Sequence, residues 1–173
     1  MTVTDADRND SIDFIISEWR RRRPDLDAGH LAIVGRVARL SVHMSNAVGK
    51  HLAEHGLAWD QFDLLITIYR WENEPNGIRP TDLYAECLLS SGSIAKRLQH
   101  AERDGYLVRR SDPDDGRATR VTLTKKGRAI VEKAIPGHGA LSNALLSSLN
   151  NKERETLARL LRRLLVSLEQ GKP

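Results

Sequence analysis

Three groupings of side chains in this sequence have the types and spacing to do chemistry. The first is His51-Leu52-Ala53-Glu54-His55. Residues four apart share one helix face, so His51 and His55 would offer two nitrogen ligands to zinc, with Glu54 as a general base. The motif also sits just before Gly56, a helix stop, where imidazoles complement the negative end of the helix dipole without any metal. The sequence offers no evident third ligand, so neither a metal nor a cofactor is assigned. The second grouping is Ser91, Ser93, Lys96, Gln99 and His100, which share the polar side of one helical stretch. The third is Arg117 and Arg120, which lie beside a tight turn. The single cysteine, Cys87, follows Glu86 at the end of a helical stretch and reads as a buried structural thiol. No Ser/His/Asp grouping, phosphate-binding Gly-rich loop or dinucleotide fingerprint occurs, which points away from an enzyme.

The charge distribution favours the second and third groupings. The 173 residues carry a net charge of +4. Between positions 79 and 128 there are 11 Lys/Arg against 7 Asp/Glu, while the rest of the chain holds 16 of each. A basic excess confined to one segment is the electrostatic footprint of a polyanion binder. With 40% hydrophobic and 29% charged residues, the composition is that of a soluble globular chain. No apolar run is long enough to span a membrane. The first residues lack the basic and apolar stretches of a signal peptide, and one cysteine forms no disulfide within the chain. Both point to the cytoplasm.

The elements that position these residues are mostly helical. Ile12, Ile15, Ile16 and Trp19 recur at helical spacing behind an N-cap at Asp10-Ser11, and Arg20 to Arg23 and Pro24 end that helix. A second helix spans 30–55. Asp60 is expected to cap a third, which carries Phe62, Leu65, Ile66 and Tyr69. Asn76-Gly77 marks a turn. Helix 81–88, turn 89–90 and helix 91–104 have helix–turn–helix proportions, with Ile94, Leu98 and Ala101 facing inward. Gly105 ends that helix. Residues 106–110 and 120–124 then form a hairpin around Asp112-Pro113-Asp114-Asp115-Gly116. A helix opens at Thr124 and runs through Ala134, and Pro136-Gly137-His138-Gly139 should kink or break it. The last helix starts at Asn150 with Glu153 in a capping box, and Leu157, Leu160, Leu161, Leu164, Leu165 and Leu168 form a stripe.

This order suits a helix that enters a major groove. Small hydroxyls and backbone N–H groups at the start of helix 91–104 can anchor phosphates, and Lys96, Gln99 and His100 can reach base edges. Arg117 and Arg120 suit phosphate or minor-groove contact. Asp114 and Asp115 oppose this unless they pair with those arginines.

The stretch 90–127, SSGSIAKRLQHAERDGYLVRRSDPDDGRATRVTLTKKG, resembles the recognition helix, wing and following helix of the MarR family of regulators. Its most specific part is Asp112-Pro113-Asp114-Asp115-Gly116-Arg117 followed by Val121-Thr122-Leu123-Thr124-Lys125-Lys126-Gly127. Order and length match over nearly the whole chain. The resemblance implies a mainly α fold with a two-stranded β-wing: a winged helix-turn-helix plus a helical dimerisation region. It also implies a homodimer bound to a pseudo-palindromic double-stranded DNA operator, usually as a repressor released by a small ligand. Two positions depart from the family pattern. Arg79 precedes Pro80 where a Thr or Ser cap is usual, and residues 136–139 interrupt a helix that is normally long.

The N-terminal helix with Trp19 resembles that of the urate-responsive subgroup, which uses a Trp, an Asp and two Arg at an anion site. That resemblance assigns Trp19, Asp63, Arg97 and Arg109 to a small anionic or aromatic ligand. Each also has a plainer reading, as core, helix-end neutralisation, ion pair or phosphate contact. The expected organisation is 1–58 for dimerisation and a ligand pocket, 59–126 for DNA binding and 127–173 for dimerisation. The competing readings are a metal sensor or zinc hydrolase using His51, Glu54 and His55, and a dimeric protein-interaction module without DNA affinity.

Overall fold

The structure, a computed structural model, describes residues 9–71, 77–87, 90–113 and 115–171. Its elements are α1 (Ser11–Arg22), α2 (Leu31–Ala53), α3 (Trp59–Arg70), α4 (Pro80–Cys87), α5 (Ser91–Arg103), β1 (Leu107–Ser111), β2 (Thr119–Leu123), α6 (Lys125–Leu145) and α7 (Asn151–Glu169). The chain divides into two compact units, Met1–Ala47 and Val48–Pro173.

In the first unit, Asp10 caps α1 by accepting from the Ile12 and Asp13 N–H groups. Asp13 reaches back to the Asp10 N–H, which completes a capping box. Arg36 of α2 binds both carboxylates, at 2.8 Å to Asp10 and 2.7 Å to Asp13. Ile12 and Ile16 are buried. Trp19, Phe14 and the α2 residues Ile33, Val34, Val37, Leu40 and Val42 are exposed.

The second unit holds the main core. Phe62, Leu64, Leu65 and Ile68 of α3 are its centre, surrounded by Leu52, Leu83, Ile94, Leu98, Leu107, Val121 and Val131. Burial of large apolar groups at these positions is the main favourable term in holding the unit together. The β1–β2 hairpin is antiparallel, with Leu107 opposite Leu123 and Ser111 opposite Thr119. Asn150 and Glu153 form the expected capping box on α7. None of the α7 side chains is buried, and its leucine stripe faces solvent.

Two expectations are corrected. The cap of α3 is Ala58 rather than Asp60, and Gln61 accepts from the Ala58 N–H in place of a capping side chain. Asp60 instead lies in the first turn, where its charge suits the dipole. Residues 136–139 do not break α6, which runs unbroken through Pro136. A proline removes one backbone donor and crowds the carbonyl four residues before it, a cost that packing on either side offsets here. Buried Val131 and Ala134 anchor the turns before it. Gly137 leaves the space occupied by the His51 ring, where a Cβ would collide. The turn at Asn76 and the residues Leu88, Leu89 and Asp114 lie outside the described residues.

The His51 Nε2–H donates to the Ala134 carbonyl at 3.2 Å. His55 meets the His51 ring edge-on at 5.0 Å, and His138 lies 5.2 Å from the Phe62 ring. The Nδ1 atoms of His55 and His138 are buried without a partner. Burial, and secondarily His51, lower the pKa of His138. A depressed folded value means that the neutral ring contributes stability above the unfolded pKa of about 6.5, and that this is lost as pH falls through the folded value. The melting temperature of the wild type should therefore drop more steeply than that of His138→Gln as pH falls below about 6.5, and parallel curves would contradict this.

Candidate nucleic-acid interface

Helix α5 is built to present a polar face. Ser90 caps it, accepting from the Ser93 N–H at 3.3 Å. Ile94, Leu98 and Ala101 are buried, as their spacing requires. Ser91, Ser93, Lys96 and Gln99 are exposed and His100 is half-buried. The left-handed turn at Gly105 (φ 75°) then releases the chain into the wing. Gln61 of α3 donates to Asp104 at 3.0 Å, and Lys126 of α6 donates to the Asp104 carbonyl at 2.7 Å. The C-terminal end of α5 is thus tied to both neighbouring helices.

The wing is tied to the start of α4. Ile78 forms a bridge with Val121 of β2, exchanging hydrogen bonds of 3.1 and 2.8 Å. Gly77 has φ 77°, and a Cβ there would strike the Val121 carbonyl. Asp112, whose side chain has no solvent exposure, receives Arg120 Nε at 2.7 Å and Arg79 Nη2 at 3.0 Å. Arg120 also donates to the Gly77 carbonyl at 3.0 Å. Arg120, expected at a phosphate, is therefore occupied largely within the wing. Arg117 is exposed at the turn, and Asp115 accepts from its backbone N–H at 3.1 Å rather than from its guanidinium.

The MarR family profile matches residues 55–118. The transcriptional repressor MprA of Escherichia coli is 31% identical over 140 residues, 78% of this chain and 77% of that protein. The chain belongs to the MarR family. The regulator PecS of Dickeya dadantii is 28% identical over 149 residues, 86% of this chain and 89% of that protein. A mutant MarR of Escherichia coli solved with operator DNA superposes with a TM-score of 0.71 at 25% identity, covering 81% of this chain and 99% of that one. MarR family proteins are transcriptional regulators and not enzymes, and the mainly α fold with its two-stranded wing agrees with theirs.

Of the four residues assigned by resemblance to a ligand, two meet in this MarR protein. Asp63 of α3 lies 3.6 Å from Arg97 of α5, and Arg97 also donates to the Asp60 carbonyl at 3.3 Å. Burial raises the Asp63 pKa, and Arg97 and then Arg70 partly offset this. Arg109 binds Glu102 at 3.1 Å instead. Trp19 lies on α1 in the first unit, in a shallow depression with Phe14, Glu18 and Arg22. His51 and His55 are packing groups, and no set of three or more His, Cys, Asp or Glu among the described residues is arranged for a metal. Cys87 is half-buried rather than buried; burial raises its pKa, and its Sγ lies 3.9 Å from buried Thr67.

Sequence reasoning did not find Asp112. The available signal was Arg79, an unusual cation immediately ahead of a helix N-terminus, which needs an anion beside it. Asp112→Ala should cost about 3–5 kcal/mol in urea unfolding, because it strands two guanidinium groups on a carboxylate site. A loss well under 1 kcal/mol would mean that the node carries little of the wing's stability.

Proposed function

We propose that this MarR family regulator is a homodimeric repressor that binds a pseudo-palindromic operator and is released by a small anionic ligand. The observation that carries the DNA reading is the exposed Ser91, Ser93, Lys96 and Gln99, with half-buried His100 beside them, on a helix whose N-terminus is capped by Ser90. Serine hydroxyls and backbone N–H groups at that end suit phosphates, and the longer side chains suit base edges. Arg117 at the wing turn suits a neighbouring groove, and Arg120 has 20% of its side chain left for solvent or phosphate.

Dimerisation is supported by apolar side chains that each unit leaves exposed. In the second unit these are Leu157, Leu160, Leu161, Leu164, Leu165 and Leu168 on α7. A contiguous apolar stripe of that size marks an interaction face, and a symmetric pair is the commonest way to cover one. The segments 1–58 and 127–173 accordingly serve dimerisation, and 59–126 reads DNA.

Ligand release has a charge logic in the Asp63–Arg97 pair, which joins α3 to the reading helix. The pair is long, and Asp63 is held above its ordinary pKa, so it resists displacement weakly. An anion that favours Arg97 over Asp63, assisted by Arg109, would shift α5 provided that it binds the shifted state more tightly.

Fluorescence anisotropy of the full chain against DNA upstream of its own gene, with a scrambled duplex as control, tests the proposal across a salt series. Tight, sequence-dependent binding is expected. Equal weak binding to both duplexes, followed by failure of a random-site selection, would overturn it. Lys96→Ala should change the ranking of operator variants by roughly 1–3 kcal/mol at one position, whereas uniform weakening would make Lys96 a backbone contact. Trp19→Phe should blunt the response to candidate anions with DNA affinity unchanged, and an undiminished response would mean that Trp19 plays no part in it.

A further inference from the structure

The base of the wing carries more positive charge than its fold requires. The hairpin register sets Arg110 directly opposite Arg120. Residues opposed in an antiparallel pair face the same side of the sheet, and like charges there repel. Asp112, two positions beyond Arg110, lies on that side as well. Arg79 enters from the other edge of β2, because Ile78 and Arg109 flank Val121 on opposite sides. Three arginines therefore stand in a row across three adjoining backbone segments, with one buried carboxylate among them.

The three are not used equally. Arg120 commits Nε to Asp112 and Nη1 to the Gly77 carbonyl, and its side chain is 20% exposed. Arg79 gives Nε and Nη2 to Asp112 but engages no described residue through Nη1, and its side chain is 44% exposed. Arg110 is exposed and pairs with no described residue. Among the described residues, two other acids of these segments are turned to other work. Asp82 takes the Thr81 hydroxyl and Asp115 takes the Arg117 N–H. Arg79 also stands directly before α4, where the helix dipole adds positive potential. A row so under-compensated is held at a cost to the free protein and is complementary to an extended anion.

We propose that Arg79 and Arg110 form a phosphate-binding strip at the base of the wing, with Arg120 and Asp112 as the strut that spaces them. The strip follows one strand of duplex backbone beside the groove that α5 enters, and it reads no bases. This rests on the DNA-binding reading above.

The test is anisotropy of the full chain on operator and scrambled duplexes over a salt series, with Arg110→Gln, Arg79→Gln and Arg79→Lys, alongside thermal unfolding. Arg110→Gln should weaken both duplexes by the same factor and make the salt slope shallower by roughly 0.9 for each phosphate it no longer neutralises. Its melting temperature should stay level or rise, because a like-charge repulsion is removed. Arg79→Gln should lose slope in the same way, and Arg79→Lys, which keeps the charge, should retain it. Unchanged slopes in Arg110→Gln and Arg79→Gln would overturn the strip, as would weakening confined to one duplex. Equal loss of slope in Arg79→Lys and Arg79→Gln would reduce Arg79 to a partner of Asp112. A wild-type slope near zero on both duplexes would overturn the DNA reading itself, and the strip with it.

Discussion

A carboxylate without solvent contact does not stay ionised unless cations and donors surround it, and Asp112 is in that position at the root of the wing. Its requirement for partners draws in Arg79 from the segment ahead of α4 and Arg120 from β2. The main-chain bridge between Ile78 and Val121 works in the same direction. The hairpin is only two strands wide, and an isolated pair of strands is marginal in water. The wing keeps its orientation because it is fastened to the helix that precedes the reading helix.

The reading helix is fastened at its middle and at its C-terminal end by different means. Midway along it, Arg97 reaches the N-terminal part of α3 through Asp63 and the Asp60 carbonyl. At its end, Asp104 takes Gln61 from α3 and Lys126 from α6. The buried contacts of Ile94, Leu98 and Ala101 fix which face looks outward. Of these attachments, the Asp63–Arg97 pair is the one held at ion-pair rather than hydrogen-bond distance. It is also the one whose carboxylate is penalised by burial. Local opening draws on the least stable contacts, so this attachment is the one that gives first.

The sequence made much of this legible because the signals were periodic. The inward triplet of α5, the stop at Gly105, the hairpin and the caps at Asp10, Thr124 and Asn150 all follow from spacing and side-chain type, and the structure has each of them. Asp60 misled because an acid near a helix start serves either as the cap or in the first turn. Pro136 misled because local propensity says nothing about packing on both sides of it, and the His51 ring that fills the space at Gly137 lies 86 positions away. The Asp112 node escaped for the same reason, since Arg79 and Asp112 are 33 residues apart. The ligand residues were assigned through resemblance alone. Geometry joins Asp63 to Arg97 and turns Arg109 toward Glu102.

The continuity of α6 has a consequence for how the chain tolerates change in length. An unbroken helix of 21 residues conserves angular phase from its first turn to its last. Each inserted or deleted residue would rotate everything beyond it by about 100° and shift it by about 1.5 Å. A single-residue insertion between Pro136 and Leu145 would thus swing the leucine stripe of α7 away from its present bearing on the wing. Seven residues, close to two whole turns, would nearly restore the bearing while moving the stripe outward by about 10 Å. Length variation in this segment is therefore quantised by the helical repeat.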